Sequence, residues 1–187
     1  YSLWKDGKNA FAHDGKINQT GLAFVAGLQN RMVEMSLAGS TTPNAYKRRQ
    51  PYTFCPVNNS WGYDNRTVGL RVIEGGDSAV RVEKRDASAD VNPYYLLACD
   101  IAAGLEGIES GSEPGPVTKG DAYADNPADM LPLTLDEAVA QAKNSTFMSE
   151  VYGQDRLDIA VKQSEREIEF VRQQVTAVET ERYLRNL

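Results

Sequence analysis

The stretch Thr67–Asp86, TVGLRVIEGGDSAVRVEKRD, decides how the rest of the chain is read. Side chains along a strand alternate between its two faces. In TVGLRVI, Val68, Leu70 and Val72 share one face and Thr67, Gly69 and Arg71 the other. In AVRVEKRD, Val80 and Val82 enter one face while Arg81, Glu83 and Arg85 line the opposite one. EGGDS between them reads as a hairpin turn. Centred on Gly76, that turn sets Arg71 opposite Arg81 and Gly69 opposite Glu83. Like charges directly opposite destabilise a sheet by a few tenths to roughly 1 kcal/mol, so something anionic is expected between them. A guanidinium fork suits carboxylate and phosphate oxygens, a lone Glu among arginines can hold a hard cation, and Gly69 would leave it room. A solvated charged face with Arg–Glu–Arg ion pairs accounts for the same pattern. The alternation alone does not choose between these readings.

Working outward, DGKNAFAHDG has turn residues at both ends of a short apolar stretch and reads as an edge hairpin or loop. Thr20 is the expected cap of a helix with Leu22, Val25, Leu28, Met32 and Met35 on its core face, ended by Gly39. The segment STTPNAYKRRQPYTFCPVNNSWGYDNR has no helical period and is too long for a connector, so it reads as a functional loop. Asn92-Pro93 opens a helix through YYLLACDIAAGLEGI, whose many small residues predict close packing. ESGSEPGPVTKGDAYADNPADMLP is a surface excursion, and TLDEAVAQAK resumes as a short helix. The spacing of Leu157, Val161, Ile168, Val171, Val175 and Val178 predicts one long last helix, closing in ERYLRNL. There is no internal repeat.

With 187 residues, net charge −6, 41% hydrophobic and 25% charged residues, the chain reads as one globular domain or a large piece of one. No apolar run approaches the roughly 20 residues that cross a bilayer. YSLWKDGKNAF carries no secretory pattern, so a soluble, cytoplasmic protein without a membrane partner is expected. Cys55 and Cys99 lack metal-ligand or CxxC spacing, which argues against a disulfide framework and fits a reducing compartment. Without export, the glycosylation patterns at Asn58-Asn59-Ser60 and Asn65-Arg66-Thr67 are chance matches. The acidic balance argues against generic nucleic-acid binding, although arginines concentrate between Arg48 and Arg85.

PNAYKR before a Pro-rich loop, WGYDNRTVGLRV, RVEKR, NPYYLLACDIAAGLEGI and VTAVETERYL occur in one order and at suitable spacing. Together they resemble the C-terminal part of the catalytic domain of the glutamine synthetase family, nearly end to end. The resemblance implies an α+β fold, with a curved antiparallel sheet whose concave face carries the charged row and whose other face packs on helices. Residues 1–187 would then be the C-terminal part of that domain. The small N-terminal domain, most metal-binding glutamates and two histidines of the nucleotide signature would lie before Tyr1. His13 is not one of those histidines and reads as a surface loop residue.

The resemblance also implies roles. Arg48 resembles the arginine that helps hold substrate glutamate, and Arg85 a second one. Arg66 and Arg71 resemble those that embrace the transferred phosphate and the nucleotide phosphates, which makes Arg48 and Arg66 the implied catalytic arginines. Arg81 resembles a nucleotide-contacting arginine, and Ser2 falls on the nucleotide-signature serine. Glu83 resembles a ligand of an active-site Mg2+ or Mn2+. The family moves the γ-phosphoryl group of ATP to the glutamate side chain, and an amine then displaces phosphate. Positioning and electrostatics supply most of such catalysis.

Two positions depart from the ammonia-using members, and a third, Ser78, which with Phe54 speaks for a non-catalytic relative, departs from the family at large. Phe54 stands where they carry a loop glutamate that helps deprotonate ammonium, which a phenylalanine cannot do. It can line an apolar channel for an amine, or simply pack in the loop. Ser88 stands where they usually have Asp, closer to the branch that makes γ-glutamyl derivatives of putrescine and other amines. Ser78 replaces a basic residue common in the family. A glutamate–amine ligase is therefore the leading expectation, beside glutamine synthesis from ammonia or a non-catalytic assembly relative. Tyr123 lies near a tyrosine that some members adenylylate, with poorly matching flanks, and reads as structural. Homo-oligomeric rings are implied for the whole protein.

Overall fold

The computed structural model describes residues 1–124 and 128–184. Asp6-Gly7 and Asp14-Gly15 all take positive φ, as tight hairpin turns require. They fold β1 (Trp4–Lys5) onto β2 (Lys8–Asn9) and β3 (Ala12–His13) onto β4 (Lys16–Ile17), so the expected edge hairpin is two hairpins. The buried Asn9 amide donates to the carbonyls of Asp77 and Val80, both at 2.8 Å, and fastens them to the strand entry that follows.

Asn18, not Thr20, caps α1 (Gln19–Arg31): its side chain accepts from Gly21 N at 3.1 Å while Thr20 already lies in the first turn. The helix also stops at Arg31 rather than Gly39, where a turn leads into the short α2 (Ser36–Gly39). Thr42 caps α3 (Pro43–Tyr46). β5 (Trp61–Tyr63), β6 (Leu70–Ile73) and β7 (Arg81–Lys84) form the central sheet in that order. α4 (Pro93–Ser110) starts on the Asn92 cap with Pro93 at its first position and ends at Gly111 with φ 63°. α5 (Leu135–Lys143), capped by Thr134, and α6 (Thr146–Tyr152), capped by Ser145, follow.

The expected last helix is broken into α7 (Gln154–Arg172) and α8 (Ala177–Leu184). Thr176 and Glu179 form a reciprocal capping box, Thr176 N to the Glu179 carboxylate at 2.7 Å and Glu179 N to Thr176 Oγ1 at 3.3 Å, which starts a new helix. Val175, at 80% exposure, and Val178 consequently stay in solvent. Residues 125–127 of the surface excursion and the closing 185–187 lie outside the described residues.

The fold is α+β, with a sheet that is mixed rather than wholly antiparallel: β5 runs parallel to β6, and β6 antiparallel to β7. The alternation held, and Val68, Leu70, Val72, Val80 and Val82 are all fully buried. The register differs from a turn centred on Gly76. A 3-10 turn at Asp77–Ala79 shifts the pairing by two residues, so Arg71 faces Glu83 and Ile73 faces Arg81. An even shift keeps every side chain on its face. Below the sheet α1 crosses α4 at near contact. A Cβ on Gly27 would sit 2.0 Å from the Ala103 carbonyl oxygen, and one on Gly107 2.2 Å from that of Ala23. The small residues of α4 thus permit the close packing expected of them.

Candidate active site

On the outer face of β6 and β7, Arg71 donates to Glu83 Oε2 at 3.0 Å and also to Asp64. Arg81 reaches Glu83 Oε1 with Nε at 3.3 Å and Nη2 at 3.2 Å. Glu83 therefore lies between two guanidinium groups, and the like-charge opposition expected from the sequence does not occur. Tyr1 and Val82 exchange backbone hydrogen bonds of 2.6 and 2.9 Å, which places Ser2 on the face of Arg81 and Glu83. Ser2 Oγ accepts from the Trp4 indole at 2.9 Å. Arg66 is exposed, and its guanidinium has no partner among the described residues. It shares with Arg71, Tyr63, Asp64 and Lys119 an open groove of about 600 Å³.

Arg85 turns away from the row. It donates to the carbonyls of Val68 at 3.0 Å, Phe54 at 2.8 Å and Arg66, tying the long loop to the sheet. Arg48, half-buried in that loop, donates to the Asp86 carbonyl. Phe54 sits at φ +58°, in the left-handed region few bulky residues enter, and the residue is 66% exposed. Tyr52 shares that conformation and packs edge-on against Tyr123, whose hydroxyl donates to the Cys55 carbonyl at 3.1 Å. The structure thus brings Ser2, Arg66, Arg71, Arg81 and Glu83 to one surface, and Arg48, Phe54 and Arg85 to the loop beside it. His13 lies in a hairpin, exposed. Asn58 is buried and donates to the Ala122 carbonyl at 2.8 Å, a structural use.

Beneath the row lies a cluster that the sequence reading passed over. The Lys84 ammonium sits 2.8 Å from Asp86 Oδ1 and 3.2 Å from Asp100 Oδ1, Arg49 is 4.0 Å from Asp86, and the Tyr1 hydroxyl donates to Asp100 at 2.6 Å. Two cations balance two anions in near-complete burial. Burial pulls Lys84 down, but Asp86 and Asp100 outweigh it and hold the ammonium above the ordinary lysine value. Burial likewise works against an ionised Asp86, yet Lys84 and Arg49 keep it below the usual carboxylate range. At Asp100 burial wins, aided by the Asp86 charge, and the carboxyl is raised. The signal was available: Lys84 has the parity of Val80 and Val82, the buried face.

Glu83 supplies the hard oxygen donor that Mg2+ or Mn2+ prefers. Among the described residues no three His, Cys, Asp or Glu side chains cluster as a metal site, and Glu83 is a single such donor. No described helix is long and apolar enough to cross a membrane.

This α+β frame, with arginines around a carboxylate on a sheet face, has a family counterpart. The family described as glutamine synthetase, catalytic domain, matches residues 1–183, and the chain belongs to the glutamine synthetase family. The gamma-glutamylethanolamide synthetase of Streptomyces coelicolor is 41% identical over 150 residues, 80% of this chain and 32% of that protein. The glutamine synthetase of Thermococcus kodakarensis is 31% identical over 191 residues, 97% of this chain and 43% of that protein. The glutamate–isopropylamine ligase of a Pseudomonas species is 36% identical over 140 residues, 74% of this chain and 30% of that protein. The solved structure of GmaS without ligand superposes with a TM-score of 0.83 at 30% identity, over 98% of this chain and 43% of that one. The chain thus spans less than half the length of these relatives.

Proposed function

We propose that the complete protein is an ATP-dependent glutamate–amine ligase, to which these residues contribute the C-terminal part of the catalytic domain. The observation that carries the reading is Phe54, an exposed aromatic residue in the loop anchored by Arg85, at the position where the family resemblance places the loop carboxylate of ammonia-using members. Its lack of an ionisable group removes the means to deprotonate ammonium and offers an apolar wall to an alkyl amine. Two of the relatives are named for ethanolamide and isopropylamine products or substrates, which supports an organic acceptor.

In this reading Arg66, free of protein partners among the described residues, and Arg71 receive the phosphoryl oxygens in the groove they share. Arg81 and Ser2 extend that surface toward the nucleotide. Arg48 and Arg85 hold the glutamate carboxylates, and Arg85 couples that hold to the Phe54 loop. Glu83 must loosen its two guanidinium contacts to serve a divalent ion. Bound Mg2+ or Mn2+ would neutralise and orient the phosphates. A cytoplasmic location and ring-shaped homo-oligomers accompany the reading as they do the family resemblance.

The test is phosphate release by the complete protein with glutamate, ATP and magnesium, comparing ammonium with ethanolamine, isopropylamine, putrescine and spermidine. Release with an amine but not ammonium is expected. Release with ammonium alone would make it a glutamine synthetase proper, and no release with any acceptor would make it a non-catalytic relative.

A further inference from the structure

We propose that the cavity between α2, α7 and the start of α4 is a binding site for a small organic ammonium ion, separate from the arginine row. The cavity measures about 300 Å³, and none of the row residues Arg48, Arg66, Arg71, Arg81, Glu83 and Arg85 lines it. That volume is at the lower end of the roughly 300–1,000 Å³ typical of small-molecule pockets.

Three features select the ligand chemistry. Asp90 and Glu167 both line the cavity, no lysine or arginine does, and neither carboxylate has an ion-pair partner among the described residues. The Ser88 hydroxyl and Thr42 Oγ1, at 3.1 Å, donate to Asp90, which fixes its carboxylate and favours its charged form. Tyr95 and Tyr152 stand in the wall with ring centroids 4.7 Å apart, beside the apolar Leu37 and Ala38. Aromatic faces and carboxylates without a direct ion-pair partner together attract a cation with an apolar body, with the Arg48 charge acting on Asp90 only at longer range. The third feature is Ser164, in the cavity wall at 5% exposure, whose hydroxyl makes no hydrogen bond among the described residues. That hydroxyl is open to accept from a ligand ammonium. A bare metal ion fits less well, because the apolar wall supplies too few oxygen donors. The inference stands independently of the ligase reading.

The experiment is calorimetric titration of the complete protein with putrescine, and with butane-1,4-diol as the uncharged probe of similar length. Saturable putrescine binding is expected, with no binding of the diol. Glu167→Gln, which keeps shape and removes charge, is expected to weaken binding at least tenfold. Ser164→Leu, which fills the cavity, is expected to abolish this binding event. Circular dichroism confirms that each variant is folded, and Glu167→Gln decides should Ser164→Leu not fold. No saturable putrescine binding by the wild type overturns the proposal. So does binding that a folded Glu167→Gln leaves unchanged, because the amine then sits elsewhere, the acceptor position included.

Discussion

Strand β7 uses charge in two ways on its two faces. Arg81 and Glu83 face outward at side-chain exposures of 45% and 33%, a setting in which an ion pair contributes about 0–1 kcal/mol. Lys84 faces inward at 2%, between Asp86 and Asp100, where removing one partner strands the others and costs about 3–5 kcal/mol. The outer charges are held weakly enough to be exchanged for a ligand. The inner charges hold the strand to α4, which carries Asp100, and to the segment that carries Arg49. In the proposed reading, a site that rearranges its guanidinium groups is mounted on a buried ionic floor.

Substitutions can break this contrast at its inner side first. Lys84→Met removes the cation and leaves two buried carboxylates, and a loss of about 3–5 kcal/mol is expected in denaturant midpoint measurements. A loss below 1 kcal/mol would mean that the cluster is not the floor. Next comes the crossing under that floor. Gly107→Ala drives a methyl group into the backbone of α1. Overpacking there is expected to cost about 1–3 kcal/mol, read in the same assay.

A pH series sharpens the contrast further. Folded Asp86 lies below the usual carboxylate range, so its contribution is complete above the unfolded value of about 3.9 and is lost as pH falls through the folded one. Lys84 lies above the usual lysine value, so its contribution is complete below about 10.4 and is lost as pH rises through its folded pKa. Asp100, raised by burial, has the opposite sign to Asp86 and offsets part of the acid loss. Melting temperatures should therefore fall as the pH drops below about 4, and Asp86→Asn should flatten that limb. The smallest effect concerns Cys99, whose thiol burial pushes up to about 12 with help from the Asp100 charge. A thiol reagent should leave it unmodified until the protein unfolds.

Much of this arrangement was legible because alternation and capping are local. The parity of Val68 through Val82 fixed the buried face, and Asn92-Pro93 and the TLDEAVAQAK stretch marked their helices. The hairpin register was not legible, because a 3-10 turn at Asp77–Ala79 takes up residues that the composition of EGGDS does not reveal. The helix break at Thr176 was present as a T-x-x-E capping pattern but lay under an apolar period running through Val175 and Val178. The row itself was legible except for Arg85. Its direction depends on carbonyls of Phe54 and Val68 that only the folded loop brings together.

The most direct measurement is made on a single variant, Glu83→Gln in the complete protein, assayed for both phosphate release and unfolding midpoint. The account predicts that release falls at least about 100-fold, as for loss of one electrostatic group at a reacting centre, while stability changes by less than about 1 kcal/mol. Wild-type release, or a loss of activity explained by unfolding, would contradict it and leave the outer row as a solvated charged face.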